Sequence, residues 1–432
     1  MHKLLDKLRY PSQSGSWKQT LVVVWITEFV ALIGFAMVLP FLPFYIEELG
    51  VSDPNQVKFW SGLVLSAQAV SMGIFAPIWG GLADRYGRKI MLERAMFSAA
   101  GIMALMGFVK TPQQLLVLRI LQGCFTGTVP AATTLVASVV PRNLTGTALG
   151  WLQMGMYAGV SVGPLVGGVI ADTLGYRTSF WVTAGCLLLS GLGVMRFVEE
   201  KFEPPTFEPG ERRPHWWEGL ASVARSRDLL TVLGTRFLTR TGVRTVGPVL
   251  PLFVATLLPQ ESRLATMTGI VTGASAAASS IGAVVLGRIG DRAGYRRVLL
   301  ISAVAAAVFY ALQAAVNNVN QLILLQFCVG LALAGTISSL TALLATLSPE
   351  GKHGAAYGLD TSVVSAANAL GPMLGAALAV VLGNRAAFLV AGGILALAAL
   401  VAGLMVPAPQ KTPHAPPTQP GQCQQAPSAK IH

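Results

Sequence analysis

Hydrophobic and polar positions along the chain fall into long blocks, not short amphipathic periods. Apolar runs of about the 20 residues that cross a hydrocarbon core recur near 19–43, 58–80, 89–109, 112–136, 146–171, 178–198, 229–257, 265–287, 297–316, 320–346, 354–382 and 385–406. Each run predicts a membrane-spanning helix, because only a helix or a closed barrel satisfies its own backbone where there is no water. The expected fold is therefore an all-α integral membrane protein of twelve transmembrane helices, with little chain left for a soluble domain. Residues 1–18 form a polar, basic lead into the first helix and lack a small-residue cleavage site, so that helix is expected to stay uncleaved. In 199–228, Pro and charge break any span and Trp216-Trp217 suit a segment lying at the interface, which predicts a cytoplasmic linker. The tail, 407–432, is Pro/Gln-rich and too poor in apolar residues to pack, and disorder is expected there.

The blocks repeat. Asp84, Arg85 and Gly87 in GGLADRYGRK return as Asp291, Arg292 and Gly294 in GRIGDRAGYRR, 207 residues later. At an offset of 208, PFLP (Pro40 to Pro43) meets PVLP (Pro248 to Pro251), and LGYRTSFWVTAG (Leu174 to Gly185) meets LGNRAAFLVAGG (Leu382 to Gly393). Matches in one order define a duplicated unit. Two pseudo-symmetric six-helix bundles, 19–198 and 229–406, follow, and an even number of crossings makes them parallel repeats with a site expected between them near the midplane.

Composition agrees with a bilayer environment: 53% of the 432 residues are hydrophobic and 12% charged, with a mean hydropathy of +0.61. The net charge of +12 would suggest nucleic acid in a soluble chain, but its Lys and Arg residues gather in alternate loops. The intervening loops hold only Lys58, Lys110, Arg177, Arg263 and Arg385. By the positive-inside rule both termini and the central linker are expected in the cytoplasm, and nucleic acid drops out as a partner. The four cysteines have no paired spacing for a disulfide or metal.

Charges inside the spans carry the chemistry. Glu28, Arg119, Arg236, Arg240, Arg244 and Asp360 lie within apolar runs, where an ionisable group costs about 2.5–3.5 kcal/mol at a helix centre and so marks an interior site or watery path. Glu28 is about halfway across its helix and is the first candidate proton carrier, with Asp360 the second. Arg236, Arg240 and Arg244, at i, i+4 and i+8, share one stripe of the seventh helix. Four arginines against two acids leave the interior positive, which favours an anionic or neutral amphiphile over a cation. Trp25, Phe29, Met37, Met154 and Tyr157 are candidates for an adaptable apolar lining. In the loop after the second helix, Gly80 and Gly81 would let a helix end approach another, Gly87 would supply the turn, and Asp84 is the one acid among Arg85, Arg88 and Lys89, so Gly81, Asp84, Arg85, Gly87 and Arg88 are candidate gating residues.

These motifs also resemble a known family. GGLADRYGRK resembles the signature loop of the major facilitator superfamily, LRILQG (Leu118 to Gly123) its basic fourth-helix motif, and GVSVGPLVGG (Gly159 to Gly168) the antiporter motif of its fifth helix. IGFAMVLPFLP (Ile33 to Pro43) is similar to the first-helix pattern of the twelve-helix drug:proton antiporters of multidrug efflux type, and the resemblance runs from about Trp17 to Val406. It implies the major facilitator fold, proton-coupled export of small amphiphilic compounds by alternating access, and a bacterial plasma (inner) membrane. It further implies that Arg119 tunes proton transfer and that Gly159, Gly163, Pro164, Gly167 and Gly168 serve antiport. The arginine triple departs from the family pattern and keeps open a second reading, transport of a specific anionic metabolite.

No GxxxxGK[ST], HExxH, CxxC or nucleophile elbow occurs. No enzyme activity, cofactor or metal is therefore expected, and the energy source would be a proton gradient. The expected partners are a small-molecule substrate, protons and the lipid bilayer, with the chain acting as a monomer.

Overall fold

The structure is a computed structural model that describes residues 16–141, 144–200, 226–258, 263–348 and 353–406. Most of the expected amino-terminal segment, most of the linker and the whole tail lie outside the described residues. Within them the first half comprises α1 (Ser16–Val38), α2 (Leu42–Glu48), α3 (Pro54–Tyr86), α4 (Arg88–Met106), α5 (Pro112–Phe125), α6 (Thr128–Val139), α7 (Thr145–Leu174) and α8 (Tyr176–Phe197). The second comprises α9 (Arg227–Val246), α10 (Leu250–Leu257), α11 (Leu264–Ala293), α12 (Tyr295–Gln313), α13 (Val319–Leu347), α14 (His353–Leu382) and α15 (Asn384–Met405).

Local chemistry sets these boundaries. Asp53 accepts the Asn55 amide ahead of Pro54, and Thr111 accepts the Gln114 amide ahead of Pro112, so two helices open on a side-chain cap with proline where no backbone donor is needed. Gly87 separates α3 from α4 at φ +99°, and Gly294 separates α11 from α12 at φ +93°. A side chain is strained in that left-handed region, so the duplicated loop needs its glycine.

Ten stretches among the described residues are long and apolar enough to cross a membrane. The other two expected crossings are α4, with Arg88, Lys89, Glu93 and Arg94 in its first two turns, and α9 with α10, which carry the arginine stripe and break at Gly247. Both nonetheless take bundle positions: α4 lies along α8, and α9 lies between α14 and α15. Three expected single spans are interrupted, at Leu39–Phe41 between α1 and α2, at Thr126 and Gly127 between α5 and α6, and between α9 and α10.

The duplication is visible in the packing. In the first half α1 lies on α7 and α8, α3 on α5, and α4 on α8; in the second, α9 lies on α14 and α15, α11 on α13, and α12 on α15. Tyr45 and Phe180 rings stand 4.8 Å apart, and their counterparts 208 positions on, Phe253 and Phe388, stand 4.9 Å apart. The two bundles meet through α3 on α14 and α7 on α11. No strand occurs among the described residues.

Candidate functional site

The site lies where the bundles meet, and its shape follows from where small residues let them touch. Opposite the basic loops the halves interlock. A Cβ on Gly62 of α3 would stand 2.8 Å from the Pro372 carbonyl oxygen of α14, and one on Gly269 of α11 would collide with the Pro164 carbonyl of α7. Asp172, at the end of α7, accepts the backbone amides of Ala265 (3.1 Å) and Thr266 (2.7 Å), capping α11 from the other half. Lys58 at the start of α3 donates to the Ala379 carbonyl near the end of α14, at 3.0 Å. Ser161 and Ser280 meet across the same seam at 3.3 Å.

The antiporter-motif glycines bring α7 close to α1. A Cβ on Gly159 would lie 2.7 Å from the Phe29 carbonyl oxygen, and one on Gly163 2.7 Å from that of Ile33. Gly167 lies on the Met37 backbone, whereas Gly168 turns to Ala265 and Thr266 of the other half. Pro164 sits inside the continuous α7. One motif thus packs the first bundle and seals the seam.

Toward the basic end the halves part around a cavity of ≈ 610 Å³, lined by Tyr157 of α7, Arg236 and Arg240 of α9, Asp291 of α11 and Thr341 of α13, among others. The three arginines of the stripe have different surroundings. Arg236 Nε stands 2.8 Å from Asp360 Oδ1, and its Nη1 donates to Thr341 Oγ1 at 3.0 Å. The Nε–H is not aimed at the carboxylate oxygen, so charge more than hydrogen-bond alignment holds the pair. Arg244 Nε donates to the neutral Asn368 Oδ1 at 2.8 Å. Arg240 lines the cavity between them, its Nε buried with no partner.

Glu28 is fully buried on α1, and neither carboxylate oxygen has a hydrogen-bond partner. The static ion pair with an arginine that its sequence position allows is not formed. Arg119, 1% exposed, instead donates Nη1 to Gln68 Oε1 (3.0 Å) and Gln122 Oε1 (3.3 Å), leaving Nε and Nη2 without partners. Gln326, at the equivalent place in the second half, donates to Gln313 at 3.1 Å. An ionised carboxylate left unpaired in a dry interior costs several kcal/mol, so any charge on Glu28 has to be met by a proton or by rearrangement.

Other sequence candidates are placed differently. Met37 is 3% exposed in the α1–α7 contact and does not line the cavity described above, whereas Tyr157 does. Trp25 stacks on Phe29 (centroids 5.5 Å apart), donates Nε1 to the Trp151 carbonyl (3.0 Å) and, with Trp151, borders a second space of ≈ 330 Å³. Met154 is half-exposed on α7. Of the candidate gating residues, Asp84 belongs to the last turn of α3 and its side chain is outside the described residues. Arg85 lies over the Tyr86 ring, 5.5 Å from its centroid. Gly80 and Gly81 face open space in this conformation, so the close approach expected of them is not made here.

The acid that serves the start of α4 is one that sequence reasoning missed. Glu200 accepts the backbone amides of Arg88 (3.1 Å) and Lys89 (2.7 Å) from beyond the end of α8. Asp172 was missed too, since its partners are more than ninety positions away in the other half. Only its place at a helix end marked it.

Two six-helix bundles that meet around a largely apolar cavity bearing a few charged side chains define a multi-pass membrane transporter. A sequence profile of the Major Facilitator Superfamily matches residues 24–258 and again 232–430, and the chain belongs to that superfamily. It is 35% identical over 380 residues to the multidrug resistance protein MdtG of Salmonella arizonae, covering 88% of this chain and 93% of that one. It is also 35% identical over 389 residues to the protein of the same name from Enterobacter lignolyticus, covering 90% and 92%. Among solved structures, a bacterial homologue of the human lysosomal transporter Spinster, in an inward-facing and unoccupied conformation, superposes with a TM-score of 0.73 at 15% identity, covering 90% of this chain and 97% of that one.

Proposed function

We propose that this chain is a bacterial inner-membrane antiporter that exports small amphiphilic compounds in exchange for protons, acting as a monomer by alternating access. The observation that carries the proton is Glu28: a fully buried acid without a partner, on the helix against which the Gly159–Gly168 motif packs. Such a group can take and release a proton as its surroundings change, and an intramembrane acid is a functional site by default. The relatives' name, multidrug resistance protein, favours varied substrates and export. The excess of Lys and Arg at the end carrying the Gly87 and Gly294 loops supports a cytoplasmic position for that end and for both termini. The conformation then faces inward, sealed outside by Gly62, Gly269 and Asp172 and open inside around Arg240. When the halves rock, the outer contacts part and the Gly81, Asp84, Arg85, Gly87 and Arg88 loop closes against the second half. Arg119, with two free N–H-bearing nitrogens, and Asp360 are the further groups placed to sense proton movement.

The test is proton flux in proteoliposomes under an imposed pH gradient, on adding candidate amphiphiles to wild type and Glu28→Gln. Substrate-dependent proton release that the substitution abolishes supports antiport. Release that persists in Glu28→Gln removes Glu28 as carrier, and substrate movement without protons removes the coupling. Arg240 and Arg244 favour a second reading, passage of a specific anionic metabolite; saturation by one anion alone, with no effect of unrelated amphiphiles, would select it.

A further inference from the structure

A second cavity, of ≈ 260 Å³, lies within the first bundle between α3, α4 and α6, and antiport makes no use of it. On α3 its wall runs from Met72 to Ala83, about 16 Å of helix at 1.5 Å per residue. Met72 and Ala76 form an apolar end, while Arg88 and Arg94 of α4 stand toward the Gly87 loop. The apolar crossing part of α3 ends at Ala76. Trp79, just beyond it, is at the depth where lipid headgroups begin and where tryptophan is enriched. The Arg94 guanidinium lies 3.3 Å from the centre of the Trp79 ring. Stacking serves the face of a guanidinium, but the N–H groups on its edge still need acceptors. Nε and Nη1 of Arg94 are buried and have none. The neighbouring acid, Glu93, does not line the cavity and stands 3.6 Å from Lys89. Thr126 and Thr134 do line it, but their hydroxyls donate to carbonyls of their own helical turns, at 2.7 and 3.0 Å. No acid is among the described residues of the wall.

We propose that this slot holds an anionic phospholipid from the leaflet at the Gly87 end, its phosphodiester on the edge of Arg94 and one acyl chain along Met72 and Ala76. A buried N–H without an acceptor is costly, and phosphate oxygens suit the guanidinium fork. Basic pockets between membrane helices take anionic headgroups for this reason. The order of the lining matches the order of the lipid: charge at the interface, then apolar wall toward the midplane. A choline or ethanolamine headgroup would bring an ammonium to a wall that already carries two arginines. Phosphatidylglycerol brings none, so it is the favoured occupant.

The site does not depend on antiport, and its test measures binding alone. Full-length protein in detergent is titrated with dioleoylphosphatidylglycerol or dioleoylphosphatidylcholine, and bound lipid is counted by native mass spectrometry. The first phosphatidylglycerol binds wild type about tenfold more tightly than phosphatidylcholine, the order expected for one charge-assisted hydrogen bond. Arg94→Gln abolishes that preference, and Arg94→Lys, which keeps the charge without the fork, recovers part of it. Ala76→Phe leaves Arg94 in place, fills the apolar end and weakens both lipids; it carries the test if Arg94→Gln fails to fold. Arg227→Gln, which removes a cation at the start of α9 outside the slot, changes neither affinity. Glycerol 1-phosphate, the headgroup ester without chains, does not displace the lipid. Equal binding of the two lipids by wild type, or a preference that survives Arg94→Gln or falls equally in Arg227→Gln, overturns the anchor. Unchanged binding in Ala76→Phe overturns the placement of the chain, and full displacement by glycerol 1-phosphate assigns the site to a free phosphate ester and overturns the lipid.

Discussion

Gly62 lies directly against the backbone of Pro372, so that a Cβ would stand 2.8 Å from the proline carbonyl and 2.6 Å from the Ala376 methyl. Its counterpart, Gly269 against Pro164, repeats the contact across the pseudo-twofold axis. Because the two glycines sit in opposite seams, the seal opposite the basic loops is two copies of one close approach. Gly62→Leu overpacks one seam and should disfavour this conformation by about 1–3 kcal/mol. The readout is disulfide formation between Gly73→Cys and Ser365→Cys in the same α3–α14 seam, where a Cβ on Gly73 would stand 3.3 Å from that of Ser365 in this conformation. Cross-linking should fall in the Gly62→Leu background, and an unchanged yield would show that this seam does not control closure.

Asp172 should act on the same equilibrium by a different route. Removing it exposes two amides at the start of α11, a loss of about 0.5–2 kcal/mol for a helix cap. Asp172→Ala should lower both the melting temperature and the Gly73→Cys/Ser365→Cys cross-link. Asp172→Asn, which keeps one acceptor oxygen, should lie between Ala and wild type. Equal behaviour of Asn and Ala would mean that the charge, not the hydrogen bond, matters.

The Arg236–Asp360 pair invites a double-mutant cycle. Asp360→Asn strands a partly buried guanidinium, for which the penalty is about 3–5 kcal/mol when one partner of a buried pair is lost. Arg236→Gln with Asp360→Asn removes both charges and should recover much of that stability in thermal unfolding of the purified protein. If the double variant is no more stable than Asp360→Asn alone, the pair is not a unit.

At the end carrying the Gly87 loop, Glu200→Ala should cost about 0.5–2 kcal/mol by freeing the first amides of α4. Glu200→Gln, still an acceptor, should lose less. Hydrogen exchange at Arg88 and Lys89 tests this directly: protection there should drop in Glu200→Ala and stay in Arg227→Ala, whose residue lies elsewhere.

How legible this was depended on the range of the interaction. Spans were readable because twenty apolar residues in a row have one use in a bilayer, and the offset showed that one unit is repeated, as the Tyr45–Phe180 and Phe253–Phe388 contacts reflect, without saying which helices pair. The breaks inside the first, fourth and seventh spans were not readable, because Pro and Gly at Pro40, Gly127 and Gly247 also occur in unbroken membrane helices, as Pro164 does in α7. Interior charges announced themselves by rarity, but not their partners: Arg119 finds two glutamines, and Arg236 finds an acid from 124 positions away. Glu200 and Asp172 looked like ordinary loop acids, since a cap on a distant helix leaves no local pattern.

The two latches opposite the basic loops also differ in sign. Where Asp172 offers negative oxygens to backbone donors, the matching place in the other seam has Lys58 offering a positive donor to a backbone carbonyl. A cation that competes for the first has no purchase on the second, and an anion has the reverse. A cation or an anion acting alone therefore loosens one seam at a time, whereas raised ionic strength, which supplies both, weakens the two together.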